Sequence, residues 1–136
     1  MHMADKKVMA FGTFDILHPG HLAYLKEAKE LGDLLTVIVS RDRNAEKLKS
    51  RKPHNNQENR LRKITSLAIV DEAILGSEKD FFKDIRKIKP DFIALGYDQK
   101  ADWLEDKLKK ENLKIEIKRM NPFEEKKYKS SLMRKN

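Results

Sequence analysis

Residues 34–39, LLTVIV, form an unbroken run of apolar and β-branched side chains. Gly32 and Asp33 precede it, and Ser40, Arg41 and Asp42 follow it. A strand with one wet face alternates apolar and polar residues, whereas a run without alternation is buried on both faces. Such a strand needs partners on both edges and helices over both faces, which is the layout of a parallel sheet in an α/β domain. The run is far below the ~20 residues that would span a bilayer.

The remaining segments agree with that layout. KVMAFG (Lys7–Gly12) is a short apolar run ending in glycine and reads as a buried first strand. A helix follows from Pro19, with Leu22, Leu25, Ala28 and Leu31 at helical spacing and Gly32 as its stop. A polar, basic connection runs through residues 41–57. Helical spacing resumes near Glu58, with Leu61, Ile64, Leu67 and Ala68 on one face. EAILG is a third strand, and Ser77 with Asp80 suggests a cap ahead of the helix FFKDIRKI. DFIALG (Asp91–Gly96) is a fourth strand, DWLEDKLKKE a further helix, and KIEIKR (Lys114–Arg119) a fifth strand. The 136 residues therefore predict one Rossmann-like, doubly wound α/β domain, a five-stranded parallel sheet of order 3-2-1-4-5. That order sets the loops GTFDILHPGH and GYDQK side by side at the switch point, where ligands bind in such sheets.

Charge is distributed unevenly. Residues 41–63 carry nine basic against three acidic groups, and residues 107–136 eleven against four. Blocks of this kind attract phosphate. A basic nucleic-acid-binding protein would add exposed aromatics for stacking. Aromatics make up 7% of the chain, and Phe123 and Tyr128 are the ones in its C-terminal block, so this reading is remote and no nucleic-acid partner is expected. Cysteine is absent, which removes disulfides and thiolate metal sites. No secretory leader or membrane span is predicted, so the expected setting is cytoplasmic. Met1 and His2, ahead of a second methionine, read as added residues.

His18 and His21 invite three readings. A zinc pair lacks further ligands of suitable chemistry, and no dedicated metal site is expected. Turn or capping residues are the ordinary alternative. The third reading uses the surroundings: a helix N-terminus offers N–H groups and a partial positive charge, and imidazole N–H groups beside it add donors for a phosphate. Thr13 adds a hydroxyl, and Gly12 and Gly20 allow close backbone approach. Neither the dinucleotide glycine fingerprint nor the Walker loop is present.

GTFDILHPGH resembles the signature of the cytidylyltransferase-like nucleotidyltransferases, whose core is H-x-G-H after a first strand. The resemblance extends along nearly the whole chain. It implies transfer of a nucleoside monophosphate from ATP or CTP to a phosphate acceptor, with release of pyrophosphate. The wording TFDILHPGH, LGDLLTVIVSRD and the KSS near the end are most similar to the branch that moves AMP from ATP to FMN. Transfer from CTP to glycerol 3-phosphate or another polyol or sugar phosphate is the alternative. Implied catalytic residues are His18, His21, Lys49 and Arg51, with Lys52 in the same basic loop. Implied nucleotide-binding residues are Gly12, Thr13, Phe14, Pro19, Gly20, Arg60, Gly96, Asp98, Tyr128, Ser130 and Ser131, together with the histidines. Asp15 matches the motif and braces its turn in this reading. The family pattern R-T-x-G-I-S-[ST]-[ST] is kept in Ser130 and Ser131 only. Its arginine falls near Glu125, with Lys126 or Lys127 substituting, which weakens the glycerol-phosphate alternative. The resemblance further implies Mg²⁺ with ATP, ATP and FMN as partners, a homodimer, and a segment 120–136 closing over the nucleotide.

Overall fold

The computed structural model describes residues 5–43, 53–77, 81–96 and 102–121. The strands are β1 (Lys7–Gly12), β2 (Leu34–Val39), β3 (Glu72–Leu75), β4 (Phe92–Leu95) and β5 (Glu116–Arg119). The helices are α1 (Pro19–Glu30), α2 (Gln57–Thr65), α3 (Phe81–Ile88) and α4 (Asp102–Lys110). All strand pairs are parallel and the sheet order is β3-β2-β1-β4-β5, as the alternation of segments predicts.

The uniform run 34–39 becomes β2, hydrogen-bonded to β1 on one edge and β3 on the other. Its residues divide between two cores. Leu35, Val37 and Val39 join Val8 and Ala10 beneath Leu25 and Ala28 of α1 and Ile64 of α2. Ile38 joins Met9, Ile93 and Leu95 on the opposite face, under Phe82 and Ile85 of α3 and Leu104 and Leu108 of α4. The period-two alternation of a strand thus feeds two apolar layers, which is why none of its positions reads as polar surface.

One segment differs from the sequence expectation. Helix α2 stops at Thr65 with Ser66 as its cap, and Leu67 packs against the core from the turn beyond. The Ser77 N–H and hydroxyl both donate to the Asp84 carboxylate in the first turn of α3, at 2.8 and 3.0 Å. Asp80 lies outside the described residues.

Helix α1 is tied at both flanks of the sheet. Lys29 pairs with Asp71, which also accepts the Leu35 N–H at 2.7 Å just before β3. Glu27 receives the backbone and side-chain N–H groups of Asn121 beyond β5, at 3.1 and 2.9 Å. No helix among the described residues is long and apolar enough to cross a membrane.

Burial alone would raise the Asp71 carboxyl, but the Lys29 ammonium and the Leu35 N–H outweigh it and hold it below its ordinary value. A carboxylate depressed in the folded state adds stability above its unfolded value of about 3.9 and loses that contribution as pH falls through the folded value. Asp71→Asn should therefore melt below the parent protein at neutral pH, and the two melting curves should converge below about pH 4. A gap that stays constant into acid would remove this linkage.

Candidate active site

The site is built on the carboxyl ends of β1, β2 and β4. After β1 the chain turns sharply: Phe14 has φ 54, in the left-handed region. Its ring folds back under the strand end and is 3% exposed. A Cβ on Gly12 would come within 2.5 Å of that ring, so glycine is required there by the phenylalanine. Gly12 thus makes room for a core side chain. The Phe14 ring in turn meets the edge of His21, centroids 5.4 Å apart and planes at 76°.

His18 is the N-cap of α1, in extended conformation, and Pro19 opens the helix. The His18 Nδ1 accepts the Gly20 N–H at 3.0 Å, and the His18 N–H donates to Nδ1 of His21 at 3.4 Å. This is a capping box with two imidazoles in place of hydroxyl and carboxylate. A ring nitrogen that accepts an N–H carries no proton, so the proton of each neutral ring sits on Nε2. The rings stack with centroids 3.8 Å apart and planes 27° apart.

The same geometry revises the expectation for the helix N-terminus. Pro19 has no N–H, the Gly20 N–H is taken by His18, and the His21 and Leu22 N–H groups bond the His18 carbonyl at 2.9 and 3.3 Å. The backbone donors of the first turn are engaged within the chain. What α1 keeps toward an anion is its dipole and the Nε2 side of the His18 ring.

Arg60 also differs from expectation. It is fully buried, and four of its N–H groups are used: Nε to the Asn55 carbonyl (3.0 Å), Nη1 to the Thr13 and Ser40 carbonyls (both 2.8 Å), and Nη2 to Asp42 (2.7 Å). It joins the loop after β1, the end of β2 and the start of α2. Asp15 does the same from the other side, as its bracing reading expects. Its carboxylate accepts the His54 and Asn55 N–H groups, both at 2.8 Å. Burial pushes the Asp15 carboxyl up, but those two N–H groups and the nearby His54 and Arg60 prevail and hold it below its ordinary value. Thr13 stands beside Ser40, with 3.5 Å between hydroxyls, and Ser40 donates its N–H to the Gly12 carbonyl at 3.0 Å.

Across the crevice, β1 and β4 pair as far as Ala10 and Ala94, while Phe11 and Gly12 continue against β2. The Tyr24 hydroxyl of α1 closes the gap, donating to the Ala94 carbonyl at 2.6 Å and accepting the Phe11 N–H at 3.3 Å. Burial drives its ionisation well above the ordinary phenol range, so it remains a protonated donor. Gly96, at the end of β4, accepts Arg119 Nη1 at 2.9 Å. Lys49, Arg51, Lys52, Asp98, Tyr128, Ser130 and Ser131 lie outside the described residues. Among the described residues no three His, Cys, Asp or Glu side chains are grouped to hold a metal. The two carboxylates nearest the loop, Asp15 and Asp42, are committed to Asn55, His54 and Arg60.

The family profile described as cytidylyltransferase-like matches residues 9–136. The chain belongs to the cytidylyltransferase-like family. It is 53% identical over 122 residues to an FAD synthase of Ferroglobus placidus, covering 88% of this chain and 79% of that one. An FAD synthase of Archaeoglobus fulgidus is 48% identical over 119 residues, 86% of this chain and 85% of the relative. Among solved structures, a protein named for lipopolysaccharide core biosynthesis from Thermoplasma volcanium superposes with a TM-score of 0.83 at 45% identity. That match covers 88% of this chain and 99% of the other. The α/β sheet, the H-x-G-H loop and the paired imidazoles of this cytidylyltransferase-like chain therefore stand together on sequence and structural grounds.

Tyr24, Asn55 and Asp42 were not singled out by sequence. The usable signal for Asp42 is its position two residues beyond Ser40 at the carboxyl edge of the most buried strand. For Tyr24 no sequence signal marks the hydroxyl's partners, which come from β1 and β4. Because Arg60 has no water to replace its acceptors, Arg60→Met should cost about 3–5 kcal/mol in a denaturant midpoint measurement. A loss under about 1 kcal/mol would mean that the loop is held elsewhere.

Proposed function

We propose that this chain is an FMN adenylyltransferase, moving AMP from ATP to the phosphate of FMN and releasing pyrophosphate. The observation that carries the reading is the similarity to FAD synthases over 88% of the chain, at 53% identity. The stacked His18 and His21, each with Nδ1 spent on the helix and Nε2 protonated, support the chemistry. An FMN phosphate oxygen forms the new bond to the α-phosphorus of ATP as the bond to the pyrophosphate oxygen breaks. The leaving pyrophosphate takes that electron pair. The nucleophile is already an anion and the leaving group is stable as one, so no protein nucleophile or strong base is needed. The protein positions the triphosphate and stabilises the charge that shifts onto the leaving group.

Neutral imidazole donors suit this task, because their hydrogen bonds strengthen as negative charge grows at the oxygens they face. Arg60 and Asp15 hold the loop that carries them. Mg²⁺ enters on ATP in this reading, with Asp15 and Asp42 already engaged within the protein. Lys49 and Arg51 supply further positive charge, Gly96 and Asp98 the nucleoside side, and Tyr128, Ser130 and Ser131 the segment that closes on the nucleotide. ATP and FMN are the partners, the setting is cytoplasmic, and a homodimer is part of the family expectation.

Incubation of the purified protein with FMN, ATP and Mg²⁺ should yield FAD and pyrophosphate. CDP-glycerol from CTP and glycerol 3-phosphate, with no FAD, would overturn the assignment in favour of the cytidylyl alternative. His18→Ala should lower kcat by about 10²–10³-fold, the usual effect of losing one such donor. It also removes the cap of α1, at about 1 kcal/mol. His18→Asn separates the two effects, since asparagine can cap but presents no imidazole Nε2–H. Its melting temperature should match the parent's while its kcat stays low. Recovery of kcat together with stability would leave His18 a purely structural cap.

A further inference from the structure

Arg41 was not among the residues that the sequence singled out, and the activity proposed above does not use it. It stands immediately after Ser40, whose N–H bonds the Gly12 carbonyl at 3.0 Å, so its backbone is fixed beside the nucleotide loop. Its side chain crosses to β3: Nε donates to the Gly76 carbonyl at 2.7 Å. Gly76 is itself anchored, its N–H bonding the Val39 carbonyl at 2.9 Å. The guanidinium is thus held by its inner nitrogen over the carboxyl ends of β2 and β3. Its outer nitrogens, Nη1 and Nη2, have no partner among the described residues. A half-buried guanidinium pinned at Nε, with its fork of N–H groups unspent, is preorganised for a planar or tetrahedral oxyanion.

Two other arginines at the carboxyl ends of the strands are used differently. Arg60 is buried and spends its donors on Thr13, Ser40, Asn55 and Asp42. Arg119 donates to Gly96 on the far side of the crevice. The location of Arg41 matters for the same reason. In-line displacement puts the attacking and leaving oxygens on opposite sides of the phosphorus. With the nucleotide in the β1–β4 crevice and the pyrophosphate turned to His18 and His21, the β2–β3 side is the part of the sheet edge that this reading leaves for the acceptor among the described residues. The acceptor carries a phosphate monoester, a dianion that must be held close to a second polyanion. That demands a fixed cation on its own side.

We propose that Arg41 is the anchor for the phosphate of the acceptor, gripping its non-attacking oxygens with Nη1 and Nη2 while Nε holds the Gly76 carbonyl. The proposal rests on the phosphate-acceptor chemistry given above. It makes Arg41 the residue that selects FMN over riboflavin, which has the same ring and ribityl chain without the phosphate.

The experiment compares the parent protein with R41Q and R41K. FMN and riboflavin are each titrated by flavin fluorescence in the presence of a non-hydrolysable ATP analogue, and steady-state constants are measured for ATP and FMN. In R41Q, binding of FMN should weaken by about 10–100-fold, the cost of a lost charge-assisted pair. Riboflavin binding and the KM for ATP should stay within about twofold. R41K, which keeps the charge but not the fork, should fall between the two. If R41Q binds FMN and riboflavin equally less well, or loses ATP along with FMN, Arg41 only ties β2 to β3 and the proposal fails. Unchanged FMN binding would also overturn it. Should R41Q melt early, R41K decides the matter by the same ratio of FMN to riboflavin. A parent protein that forms no FAD would sink the activity assignment instead, whereas an FAD-forming parent with an indifferent R41Q would sink the Arg41 assignment alone.

Discussion

Arg60 carries a full charge to a place without water, and it is tolerated there because carbonyls from Asn55, Thr13 and Ser40 and the carboxylate of Asp42 converge on it. Three separate stretches of chain meet at that guanidinium: the loop after β1, the end of β2 and the start of α2. Parallel strands bring such loops to the same edge of the sheet but do not fix them against one another. The buried cation does, since each carbonyl would otherwise face the interior without a donor. The turn at Phe14, the seat of Thr13 and the departure of Arg41 toward β3 all follow from where those carbonyls are held.

In the proposed reaction the histidine pair serves the fold and the chemistry with different atoms. Nδ1 of each ring is engaged in starting α1, and that engagement fixes the tautomer that leaves a proton on Nε2. Capping and phosphate recognition are therefore compatible in this arrangement. Phe14 supports the same pair from below, and its own unusual backbone angle is sustained by a ring buried beneath Gly12.

Much of the fold was legible because it depends on patterns local to short segments. The unbroken run Leu34–Val39, the glycines closing β1 and β4 and the helical spacing of Leu22, Leu25 and Ala28 led to the observed sheet order. In the candidate site, the strand–turn–helix geometry of the contiguous motif from Gly12 to His21 was legible. The site was not legible where the partners are remote. Arg60 read as a ligand contact because its acceptors come from positions 13, 40, 42 and 55, and no local pattern announces that they meet. The first-turn N–H groups read as anion donors because the sequence does not disclose that imidazoles would take the capping role. Tyr24 was not singled out because only the three-dimensional structure sets its hydroxyl between Phe11 and Ala94.

Helix α1 is fastened at three places that are far apart in the sheet. Tyr24 joins it to β4, Lys29 reaches Asp71 before β3, and Glu27 holds Asn121 after β5. An element secured at several distant points moves with the body it is secured to. The donors at its N-terminus are thereby referenced to the whole sheet, as a tool is to its bench, although the loop just before them is on the surface. In the proposed reaction, the geometry at the reacting phosphate is then set by the sheet as a whole and not by the loop alone.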